Sequence, residues 1–125
     1  MDLEAVRPVP EAESIIESFF SPAERRAFLT VPAEARDGAF FACWTRKEAF
    51  IKALGGGLSI PLDDFDVTLA PGEPARLLAV RGLSADEWTL REIDPGPGWA
   101  GAVAVEGGAF AMRFFDWDLG AASGA

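Results

Sequence analysis

A change in the spacing of apolar residues near the middle of the chain restricts its fold more than any other feature. From 39 to 54 the apolar residues recur at helical spacing, and the pattern stops at a run of three glycines that begins at Gly55. Beyond Leu62 the spacing changes to two, as in a strand with one buried face. Helices followed by strands predict an α+β fold, in which an antiparallel sheet packs on the long helix.

The remaining elements follow from local signals. A short strand is predicted at 2–6 and a helix at 11–20, and a second helix runs from 22 to about 29. Ser21 and Glu24 form a capping box at the start of that second helix. The 125 residues therefore predict one domain over 1–118 and a flexible tail over 119–125. The predicted strands after the long helix are 65–69, 75–80, 87–93, 101–105 and 109–115.

Charge and residue usage exclude several classes of function. Twenty acidic residues against eleven basic ones give a net charge of −9, which repels nucleic acid and anionic membranes. The chain has no histidine and one cysteine, Cys43, so sites that need imidazole or several thiolates are excluded. Carboxylate oxygen is left as a metal ligand, which suits magnesium, manganese or calcium. With no signal peptide or long apolar run in the sequence, we expect a cytoplasmic location.

The long predicted helix carries a dense group of charged residues. Trp44, Glu48 and Lys52 lie on one helical stripe, and Glu48 and Lys52 are four residues apart in the order that favours an ion pair. Both lysines of the chain lie in this segment, and Lys47 interrupts the apolar stripe where a buried residue is expected. The simplest interpretation is a solvated ion pair, but a tryptophan on the same stripe indicates that it borders buried surface.

A second acidic group lies at the start of the chain. On a strand, Asp2 and Glu4 point to the same face and present two carboxylates side by side. They repel each other unless a cation lies between them, and Glu48 is the natural candidate for a third ligand. The alternative is a frayed acidic N-terminus.

These segments resemble one known family. The sequence WTRKEAFIK at 44–52, with the glycine-rich stretch that follows it, is similar to the W-x-x-K-E-A-x-x-K motif of the 4'-phosphopantetheinyl transferases. Asp2-Leu3-Glu4 resembles the D-x-E element of that family, and FFSPAE at 19–24 resembles its F-F-S/T-x-x-E segment. The three elements occur in the order of the family, and the resemblance covers nearly the whole chain.

The resemblance implies a reaction and a set of site residues. The family moves the 4'-phosphopantetheine arm of coenzyme A onto a serine of an apo acyl or peptidyl carrier protein. By motif position, a magnesium ion is held by Asp2, Glu4 and Glu48. Lys52 contacts phosphate, and Lys47 joins it among the residues that bind coenzyme A. Glu48 or a magnesium-bound water takes the proton of the carrier serine.

The length of the chain departs from part of the family pattern. Larger members hold two similar halves in one chain, and smaller members assemble as trimers of one-half chains. This chain has the smaller length, but Asp2-Leu3-Glu4 and 61–67 look more like the C-terminal half of the larger class. It is a fragment, a half that assembles with itself, or a half that pairs with a separate N-terminal half. We therefore expect a homo-oligomer or such a pairing. The alternatives to catalysis are an interaction module without a site and a structural cation binder.

Overall fold

The computed structural model describes residues 1–55, 60–80 and 82–107. In these ranges it confirms the α+β prediction, with helices in the first half and antiparallel strands in the second. The predicted strand at 109–115, the tail at 119–125 and most of the glycine run lie outside the described residues. The helices and strands, in chain order, are β1 (Asp2–Ala5), α1 (Ala12–Phe19), α2 (Pro22–Leu29), α3 (Arg36–Leu54), β2 (Phe65–Val67), β3 (Leu77–Val80), β4 (Trp88–Ile93) and β5 (Trp99–Glu106).

The described strands form two antiparallel sheets rather than one. In the larger sheet β5 lies between β1 and β4, whereas β2 and β3 pair separately. β1 and β5 approach closely because Gly101 has no side chain. A Cβ added at Gly101 would lie 2.4 Å from Leu3 Cδ2. The inner face of β5 carries alanines, including Ala102 opposite Asp2, and this small-residue face packs into the core beside α3.

The long helix α3 is buried on almost every side. It contacts α2 and four strands, so its buried residues do not form a single stripe. It begins at Arg36, three residues before the predicted start, because a 3₁₀ turn at Ala33–Ala35 leads directly into it. Arg36 Nε also donates to Val31 O at 3.0 Å. The end is as predicted, since the helix stops at Leu54 and Gly55 has a φ of 74°. Buried on α3 are Ala39, Phe40, Phe41, Cys43, Thr45, Arg46, Lys47, Ala49 and Phe50.

The capping box at the start of α2 is confirmed. Ser21 Oγ accepts from the Glu24 amide at 3.2 Å, and Glu24 Oε1 accepts from the Ser21 amide at 2.8 Å. The box holds α2 against the core, where Phe20 is fully buried and stacks on Phe40. Among the described helices, none combines the length and the apolar character that a bilayer crossing needs.

Candidate functional site

β1 places two carboxylates on the face of the sheet that meets α3. Asp2 lies opposite Ala102 and Glu4 opposite Ala100, so only small side chains share that face of the strand pair. Leu3 points the other way and is partly exposed. The small neighbours let α3 come close to β1, and Asp2 is only 8% exposed as a result. The strand alternation therefore puts one buried and one half-buried carboxylate at the C-terminal part of α3.

Lys52 of α3 contacts the first of these carboxylates. Its Nζ donates to Asp2 Oδ1 at 2.6 Å, and this hydrogen bond is the main cause that raises the pKa of Lys52. The other oxygen, Asp2 Oδ2, is buried and accepts no hydrogen bond from any described residue. A buried carboxylate oxygen without a donor is costly, so this atom has unused capacity to bind a cation.

Glu48 belongs to the same electrostatic neighbourhood. Partial burial raises its pKa, and the negative charges of Asp2 and Glu4 raise it further, against the opposing effect of Lys52. The negative charges of Asp2 and Glu4 disfavour the charged form of Glu48, and a cation bound among these side chains would offset that repulsion. Asp2, Glu4, Glu48 and Lys52 thus lie in one electrostatic neighbourhood, and their role as a site stays a prediction.

These residues suit a hard divalent cation, which prefers carboxylate oxygens. The unpartnered Asp2 Oδ2 and the coupling among the carboxyl groups both support that fit. Across residues 1–55, 60–80 and 82–107, however, the structure gathers no three Asp, Glu, Cys or His side chains closely enough to hold a metal ion. A cation at this position therefore requires side-chain movements, beginning with the Asp2–Lys52 contact.

Lys47, which the sequence places among the residues that bind coenzyme A, lies away from Asp2 and Lys52 and has partners inside the protein. Its side chain is fully buried, and Nζ donates to Glu24 Oε2 at 2.9 Å and to the carbonyl of Phe65. The same ammonium sits 3.9 Å from the centre of the Phe65 ring. Its charge is paired with Glu24 inside the protein, so Lys47 has a structural role in this arrangement.

Glu24 is the partner that the sequence did not reveal. Its Oε2 also accepts from the Val67 amide at 2.7 Å, so one carboxylate ties α2 to α3 and β2. Burial raises the pKa of Glu24 even though Lys47 and two backbone amides lower it. Because Lys47 and Glu48 are adjacent on α3, holding Lys47 toward β2 turns Glu48 toward β1.

A further residue that the sequence did not single out is Arg7. Its Nη1 lies 3.7 Å from Glu4 Oε2 and donates to Ala5 O at 2.6 Å, while its guanidinium carbon sits 4.8 Å from the centre of the Phe41 ring. Arg7 therefore limits the positions that Glu4 can take. A cavity of about 210 Å³ beside Glu4 is lined by Glu4, Arg7, Val9, Ile15, Phe40, Phe41 and Trp44.

Comparison with known proteins connects this geometry to one family. The chain is 36% identical over 117 residues to the 4'-phosphopantetheinyl transferase HetI of Nostoc sp. PCC 7120, covering 94% of this chain and 47% of HetI. It is 32% identical over 96 residues to the transferase Sfp of Bacillus subtilis, covering 77% of this chain and 42% of Sfp. The chain thus spans less than half the length of these curated relatives.

Solved structures show the same fold. The holo-[acyl-carrier-protein] synthase of Thermotoga maritima superposes with a TM-score of 0.64 at 25% identity, over 85% of this chain and 60% of that one. The corresponding synthase of Helicobacter pylori, solved in complex with coenzyme A, superposes with a TM-score of 0.56 at 17% identity, over 84% of this chain and 96% of that one, and shows the fold alone. The model of the 4'-phosphopantetheinyl transferase superfamily matches residues 1–104, which include β1, all three helices and most of β5. With this match and the fold in agreement, the chain belongs to the 4'-phosphopantetheinyl transferase superfamily.

Proposed function

We propose that this chain transfers the 4'-phosphopantetheine group of coenzyme A to a serine of an apo acyl or peptidyl carrier protein. The observation that carries the proposal is the group formed by Asp2, Glu48 and Lys52, in which a buried carboxylate oxygen has no donor among the described residues. Such a group suits a substrate with a pyrophosphate, because an ammonium and a cation neutralise the charge of the leaving group.

In the proposed reaction the serine hydroxyl oxygen attacks the phosphorus that bears the pantetheine arm. The bond from that phosphorus to the bridging oxygen breaks, and adenosine 3',5'-bisphosphate leaves with the electron pair. Glu48 takes the serine proton, a role that a carboxylate in this half-buried position can perform. Lys52 pairs with a phosphate oxygen as a point charge.

Asp2, Glu4 and Glu48 are the residues that would hold magnesium in this site. When bound, the ion neutralises charge on the pyrophosphate. Arg7 keeps Glu4 oriented, and the aromatic cavity beside Glu4 supplies an apolar wall next to the charged group.

We further propose that a second half completes the site, either another copy of this chain or a separate N-terminal half. The support is that the chain spans less than half of HetI and Sfp. A non-catalytic interaction module is the alternative that the same observation favours.

The test is to incubate the protein with coenzyme A, magnesium and an apo carrier protein, and then to weigh the carrier. We expect the carrier mass to increase by one phosphopantetheine group, and no increase for a carrier whose acceptor serine is replaced by alanine. After separation by size, activity is expected in the oligomeric or paired fraction. A fully active monomer contradicts the pairing, and an unmodified carrier together with no coenzyme A binding supports the module instead.

A further inference from the structure

The contact between Asp2 and Lys52 has an asymmetry that the proposed reaction does not explain. The Asp2 side chain is 9% exposed and fixed by the β1–β5 pairing, whereas the Lys52 side chain is 52% exposed and sits in the last turn of α3. One oxygen of Asp2 accepts from Lys52, and the other is buried without a donor among the described residues. The carboxylate is the fixed member of the pair and the ammonium is the movable one.

We infer that Lys52 is an exchangeable counter-ion, which occupies Asp2 in the free protein and is released to the anionic co-substrate when a divalent cation binds Asp2. This inference rests on the proposed function, from which it takes the cation and the anion. It adds that Lys52 has two alternative partners, and that binding of the two ligands is coupled through this one side chain.

The physical reason is competition for one carboxylate. A cation bound at Asp2 takes the lone pairs that Lys52 now uses, and it repels the ammonium at short range. The freed ammonium sits on a flexible and exposed stem, so it can turn away from Asp2 by rotation of its side chain alone.

The exchange makes the coupling reciprocal. A cation at Asp2 frees Lys52 and so strengthens binding of the anion. An anion paired with Lys52 removes the competitor and so strengthens binding of the cation.

The sequence allows a direct test, because it contains only two lysines. With the full chain labelled with ¹⁵N in its lysines, nuclear magnetic resonance resolves two ammonium signals. Lys47 is fully buried and held by Glu24, so its signal serves as an internal reference. On titration with Mg²⁺ alone, we expect the Lys52 signal to move in step with Mg²⁺ binding measured by calorimetry, while the Lys47 signal stays in place.

The Asp2→Asn variant gives the released state for comparison. Without magnesium its Lys52 signal should already be displaced from that of the unsubstituted protein, because the ion pair is gone, and Mg²⁺ should not move it further. The Lys52→Met variant gives an independent readout if Asp2→Asn does not fold. Since the competitor is absent, its Mg²⁺ affinity should rise several-fold.

The outcomes separate this inference from the proposed function. If Mg²⁺ binds while the Lys52 signal does not move, Lys52 and the cation share Asp2. The exchange is then wrong, although the metal role of Asp2 stands. If calorimetry detects no Mg²⁺ binding to the folded protein, the metal role proposed for Asp2 fails and the exchange fails with it.

Discussion

Replacing Glu24 by glutamine, or Lys47 by methionine, is expected to lower the free energy of unfolding by about 3–5 kcal/mol. Both side chains are almost completely buried, and their contact at 2.9 Å pairs the two charges. Removing either partner leaves the other charge buried without compensation, which is costly because neither can return to water. For a domain whose total stability is about 5–15 kcal/mol, the expected loss brings the variant close to unfolding.

Urea unfolding of each variant measures this loss, with Glu17→Gln on the exposed face of α1 as the matched control. The Lys47→Met variant should also show a specific pH dependence. The folded-state pKa of Glu24 is already raised by burial, and removing Lys47 removes a charge that lowers it. The cost of keeping Glu24 charged in the folded variant is therefore absent below the ordinary carboxyl pKa and complete above the raised pKa. The free energies of unfolding of the variant and the unsubstituted protein should therefore become more alike as the pH falls. Losses below about 1 kcal/mol in both variants would match a surface pair and contradict the structural role.

The second large effect is expected for Glu48→Gln, which should slow phosphopantetheine transfer by about 10²–10⁴-fold. The amide cannot accept the serine proton, and it removes one of the three carboxylates proposed to hold the cation. Stability should be unchanged or slightly increased, because Asp2 and Glu4 both disfavour a charge at Glu48.

Initial rates at saturating coenzyme A and magnesium, together with a thermal melt, measure the two effects separately. Glu17→Gln again serves as the control, since it removes an exposed carboxylate that is not among the proposed site residues. A variant that keeps the original rate, or one that loses the rate only because it unfolds, would be inconsistent with the role of Glu48.

Elements with strong local signals could be predicted from the sequence. The glycine run fixes the end of α3, and Ser21 with Glu24 fixes the start of α2, because both signals act over a few residues. The predicted start of α3 was wrong because Asp37 and Gly38 are typical of a loop, whereas the 3₁₀ turn at Ala33–Ala35 leads directly into the helix. The division into two sheets depends on long-range pairing, which residue spacing does not encode.

The candidate site also has residues whose positions could be predicted from the sequence and residues whose positions could not. Strand alternation places Asp2 and Glu4 together, and helical spacing places Glu48 and Lys52 together, so these residues could be predicted. Lys47 could not be placed, because a lysine is rarely buried without a partner and its partner lies 23 residues earlier. The capping box already explains Glu24 from the sequence alone, so nothing in the sequence indicated that its other oxygen also binds Lys47 and the Val67 amide.

The central claim is that Asp2, Glu4 and Glu48 act as one cation site. The most direct measurement is anomalous diffraction from a crystal of this protein soaked in Mn²⁺, a hard ion that takes the same oxygen ligands as magnesium. We predict one anomalous peak bound by oxygens of all three carboxylates. The account is contradicted if a saturating soak leaves this position empty, or if the ion binds elsewhere while the three carboxylates stay apart.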